Sequence, residues 1–82
     1  MVFVMTPQQA KAARTWLGWT QPQLAEKAGV GISTILDYET GRRTPIPNNL
    51  KAIQSALEEA GIEFAPDSIS RRGKQIPSRK AG

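Results

Sequence analysis

Five of the eleven lysine and arginine residues fall within residues 65–82, at Arg71, Arg72, Lys74, Arg79 and Lys80, where Asp67 is the only acid. Such a cluster can neutralise a polyanion. Residues 1–64 hold six bases (Lys11, Arg14, Lys27, Arg42, Arg43, Lys51) and six acids (Glu26, Asp37, Glu39, Glu58, Glu59, Glu63), so the net +4 belongs to the tail. This reads as a neutral body with a polycationic arm. The arm could track a phosphate backbone or enter a minor groove, or it could only keep the end soluble; both readings stay open. Covalent and metal chemistry has little to work with. There is no cysteine and no histidine, which removes disulfides, thiolate chemistry and imidazole ligation. The carboxylates, lysines and hydroxyls form no recognisable catalytic constellation, and neither a glycine-rich phosphate loop nor a metal-ligand cluster is present. The expectation is a non-enzyme without a cofactor or a metal.

Eighty-two residues, 39% of them hydrophobic, make one small globular domain. The opening residues 1–5 are too short for a signal-peptide core and lack a basic leader, and no stretch is long enough to span a membrane. With cysteine absent, the expected location is cytoplasmic.

The elements that would place the charges begin with residues 21–42. Thr20 is suited to cap a helix whose Leu24, Ala25 and Ala28 recur at helical spacing. Gly29 can take the left-handed conformation that stops it, and Val30 can plug the corner. A second helix follows from about Ile32 to Thr40, with Ile35 and Tyr38 inward and Gly41 at its end. Two helices across so tight a turn form a helix-turn-helix, a unit that fits its second helix into the DNA major groove. A plain helical hairpin is the alternative, but it would need no particular residue at the corner and no cap just before it.

Upstream, Thr6-Pro7 reads as an N-cap and first helical residue. The helix it opens runs to about Leu17, with Ala10, Ala13, Arg14 and Leu17 on one face. Downstream, prolines at 45 and 47 hold residues 42–47 extended. Asn48 or Asn49 is expected to cap a fourth helix striped by Leu50, Ile53, Ala56, Leu57 and Ala60 and closed by Gly61. Residues 2–4 and 62–64 look like short strands, to be paired with each other or with their copies across a dimer axis. The domain is expected to span residues 1–65, with residues 66–82 a disordered basic tail. Trp16 and Trp19 read as core or dimer packing, Lys11 and Lys27 as solvated charges, although Lys11 could approach a phosphate from the first helix, and Glu58, Glu59 and Glu63 as an exposed acidic face.

With these residues in place, the chain resembles the Cro/C1-type (XRE) helix-turn-helix family over about residues 7–64. The resemblance is carried by Leu17-Gly18-Trp19-Thr20-Gln21, Leu24-Ala25, Ala28-Gly29-Val30 and Tyr38-Glu39 with Gly41. The ending Ala56-Leu57-Glu58-Glu59-Ala60-Gly61-Ile62-Glu63-Phe64 is similar to a subgroup with a strand after the last helix. It implies an all-α, four-helix, lambda-repressor-like domain with short terminal strands and a basic C-terminal tail. It further implies that Gln21 points its amide at a phosphate, beside the free N–H groups of a helix N-terminus. Arg14 and Glu39 would form a buried ion pair that orients the third helix. Ile32, Ser33, Leu36 and Asp37 would face the bases, with Thr40 nearer the backbone. None of these is an arginine, lysine, glutamine or asparagine, the side chains that bond bidentately to purines. Ile32 and Leu36 can touch thymine methyls, Ser33 can bond several base edges, and Asp37 can accept from cytosine N4. Arg42 and Arg43, next along the chain, would meet phosphates, the alternative being an exposed basic loop.

The function expected is that of a sequence-specific transcriptional regulator, a repressor, binding a pseudo-palindromic operator in double-stranded DNA as a homodimer. The alternative is a protein-interaction module with a protein partner, such as an antitoxin or a prophage accessory protein, since Ile32 and Leu36 would also suit a protein groove.

Overall fold

The computed structural model describes residues 5–65 and 68–71. Four helices, α1 (Pro7–Trp16), α2 (Gln21–Ala28), α3 (Ile32–Glu39) and α4 (Pro47–Glu59), precede an antiparallel hairpin of β1 (Ile62–Ala65) and β2 (Ser68–Arg71). No helix among the described residues is long and apolar enough to cross a membrane.

The first two helices start alike. Thr6 and Thr20 each accept from the backbone N–H three residues on, while Gln9 and Gln23 return their side-chain oxygens to the threonine N–H groups. These reciprocal capping boxes, each with a proline in the first turn, satisfy donors that a helix start otherwise strands. Gly29 ends α2 at φ 73°, ψ 31°. Val30 N–H then bonds back to the Ala25 carbonyl at 3.0 Å, which closes the turn. The buried core draws Ala10, Ala13, Leu24, Ala25, Ile35, Tyr38, Ile53, Leu57 and Ile62 from every helix and from β1. Trp16, Leu17, Trp19 and Val30 pack against it half-buried.

Three expectations need correction. Helix four is not capped by Asn48 or Asn49. Pro47 is its first residue, and Ile46, held extended by that proline, is the N-cap with no side-chain hydrogen bond. The extended segment therefore ends at Ile46, because proline's fixed φ suits a helix start as well as it suits a loop. The partner of β1 is β2, a segment read from composition as disordered tail. The register sets Phe64 opposite Ile69 and Ile62 opposite Arg71. Ile69 supplies the apolar partner that so short a strand needs. The Gln9 amide fastens the hairpin to α1 by donating to the Ala65 and Ser68 carbonyls. The strand expected at residues 2–4 and the tail beyond Arg71 lie outside the described residues. Glu58, finally, is half-buried rather than part of an exposed face, and accepts from the Gln54 amide at 3.0 Å.

Candidate nucleic-acid interface

Arg14 and Glu39 fix the base of the interface. The Arg14 guanidinium donates through Nε to Glu39 Oε2 at 2.7 Å and through Nη2 to Oε1 at 3.0 Å. This is a two-pronged pair whose side chains are only 10% and 2% exposed. Nη1 donates to the Trp19 carbonyl at 2.8 Å, so one guanidinium ties α1 to the end of α3 and to the segment entering α2. Gln21 joins them, its Nε2 donating to Glu39 Oε1 at 3.1 Å. Each buried charge thus has a partner and further hydrogen bonds, without which burial would be costly.

That network alters what Gln21 can offer. One amide N–H is used on Glu39, which leaves the second for a phosphate. The free N–H groups expected at the start of α2 are reduced too. Pro22 has none, and those of Gln23 and Leu24 are accepted by Thr20. The second amide N–H of Gln21 is one group through which this helix start can donate outward.

Helix three buries Ile35 and Tyr38. The Tyr38 hydroxyl donates to the Met5 carbonyl at 2.9 Å, and burial pushes its pKa up to about 12. The opposite arc holds Ile32, Ser33, Leu36 and Thr40, all exposed, with Asp37 half-buried at its edge. Ile32 and Leu36 are 48% and 41% exposed, high for large aliphatic side chains. Thr40 is less available than expected, because its hydroxyl bonds back to the Leu36 and Asp37 carbonyls at 2.8 and 3.2 Å. Arg42 and Arg43 are exposed, while their backbone N–H groups bond to the Asp37 carbonyl at 2.8 and 3.2 Å. The arginine pair is thereby anchored beside the C-terminal end of the exposed arc.

Lys27 is not simply solvated, for its Nζ sits 4.9 Å from the centroid of the Trp19 ring, a cation–π distance. Sequence reasoning missed the bond from Gln21 to Glu39 and the clamp made by Gln9. The Thr-x-x-Gln spacing at residues 6–9 and 20–23 was the available sign of the caps. The link from Gln21 to Glu39 depends on the tertiary arrangement and has no local sign.

No curated protein matches the chain. The model of a helix-turn-helix family matches residues 11–63, a span that contains the ion pair, both helices of the turn and the exposed arc. With the four helices and the left-handed corner at Gly29, this match makes the chain a member of the Cro/C1-type (XRE) family of DNA-binding helix-turn-helix regulators.

Proposed function

We propose that this protein is a sequence-specific transcriptional repressor that inserts α3 into the major groove as a homodimer on a pseudo-palindromic operator. One observation carries the reading: an exposed arc of α3, held by the buried pair of Arg14 and Glu39, ends beside two exposed arginines. Ile32, Ser33, Leu36 and Asp37 meet base edges. Gln21, Arg42 and Arg43 meet phosphates, with Thr40 at the margin. Two such helices would occupy successive major grooves about 34 Å apart. Repression then needs only occupancy of a promoter, in the cytoplasm where the DNA is.

Selection from a random duplex library at physiological salt tests this. An enriched inverted repeat, bound with the stoichiometry of a dimer, is the expected result; recovery of sequence-indifferent DNA alone would reject it. Replacing Arg42 and Arg43 with alanine should weaken binding equally on all sequences, and should lower the salt slope by about 0.9 for each phosphate no longer neutralised.

The exposed Ile32 and Leu36 also support a second reading, a protein-interaction module of the antitoxin or prophage-accessory kind. Loss of DNA binding on changing both to alanine, with partner binding intact, would reject it.

A further inference from the structure

The polar groups around α3 are largely engaged, and what they leave outward is aliphatic. Gln21 gives an amide N–H to Glu39, and Thr40 gives its hydroxyl to its own helix. Helix three carries no lysine, arginine, asparagine or glutamine. The bidentate purine contacts that usually specify a base have no donor on it. Ser33 and Asp37 remain as polar readers, and a carboxylate near phosphates favours only a base amino group. Ile32 and Leu36 dominate the arc, exposed on the same face at a spacing of four residues. Four residues of helix advance about 6 Å, close to two base-pair steps of roughly 3.4 Å.

We propose that α3 reads pyrimidine C5-methyl groups, with Ile32 and Leu36 each packing on a thymine methyl about two base-pair steps apart. The inference rests on α3 entering the major groove and names what it reads there. The methyl is the apolar feature of that groove, and burying it against an aliphatic side chain removes both from water. DNA is favoured over a protein groove because the same face ends at the anchored Arg42 and Arg43. These supply the positive charge that a phosphate strand needs.

Two random duplex libraries, one with thymine and one with deoxyuridine throughout, test the idea on the full chain. The two differ only in the C5-methyl. The thymine library should enrich a motif containing A·T pairs, and the deoxyuridine library should not. Within that motif, each thymine-to-deoxyuridine exchange under Ile32 or Leu36 should cost about fourfold in affinity, the worth of one buried methyl. The variant I32A/L36A, altered only at exposed positions, should lose this discrimination. The same motif from both libraries at equal affinity would overturn methyl reading and leave DNA reading intact. No motif from either would overturn sequence reading and this inference with it. Unchanged selection by I32A/L36A would turn these side chains toward a protein instead and overturn it as well.

Discussion

Arg14 and Glu39 lie 25 residues apart in sequence, yet they share two hydrogen bonds, with a third from Gln21 and a fourth to the Trp19 carbonyl. Coulomb attraction alone does not make such a pair stabilising, because both charges had to leave water. Its effect is geometric: it holds the end of α3 against α1 and the start of α2. Changing Glu39 to Ala leaves a buried guanidinium without its carboxylate and should cost about 3–5 kcal/mol, a large share of a small domain's stability. Urea unfolding measures it. The double variant R14M/E39M should be more stable than E39A; a double variant that is no more stable would show that the lone buried guanidinium carries no such penalty. Tyr38 offers a pH-linked case. Its folded pKa of about 12 lies above the ordinary 10.0. The stability tied to its proton is therefore whole below pH 10 and is lost as pH rises through 12. Tyr38→Phe removes the hydrogen bond to Met5 and should cost about 1 kcal/mol at pH 8. Between pH 10 and 12 the wild type should lose stability that the variant keeps, and the gap should close. A gap constant across that window would show that burial does not hold the phenol proton.

The helix-turn-helix corner was readable from the sequence because its determinants are local. Thr20 caps, Gly29 turns left-handed, and Ile35 and Tyr38 bury, all within one short segment. An added Cβ at Gly29 meets nothing within 4 Å, so replacing it with alanine tests backbone strain without a steric clash. The expected cost is about 1–2 kcal/mol, seen as a lower denaturant midpoint at unchanged slope. A neutral outcome would mean that the corner tolerates another path. Local signals also misled. Asn48 and Asn49 are good capping residues, yet Pro47 pre-empts them by starting the helix first. Ser68–Arg71 has a tail-like composition, but pairing with β1 and the clamp from Gln9 order it. The assignment of Ile32, Ser33, Leu36 and Asp37 to the outward arc of α3 rests on family likeness. The engagement of Thr40 and Gln21 within the protein could not be foreseen, since it depends on how the helices meet.

The boundary between body and tail moves once β2 is recognised, and with it the meaning of a truncation. Cutting after Ala65 would remove Ile69, which packs against the core opposite Phe64, together with one of the carbonyls that Gln9 holds. Any loss of DNA binding would then be mixed with loss of fold. Cutting after Arg71 keeps the hairpin and removes Arg72, Lys74, Arg79 and Lys80, which takes the net charge from +4 to zero. The body that remains is neutral, with Arg42 and Arg43 exposed just past the end of α3. The shortened chain should therefore unfold at the same denaturant concentration as the full one, yet bind all duplexes more weakly. Its salt slope should be shallower by about 0.9 for each phosphate the tail had neutralised. Selectivity between thymine and deoxyuridine duplexes should survive the cut, because Ile32 and Leu36 are untouched. An unchanged salt slope would reduce the tail to a solubilising end and leave phosphate binding to the body alone. Selectivity lost along with affinity would mean that the arm helps to read the sequence, as a minor-groove arm does.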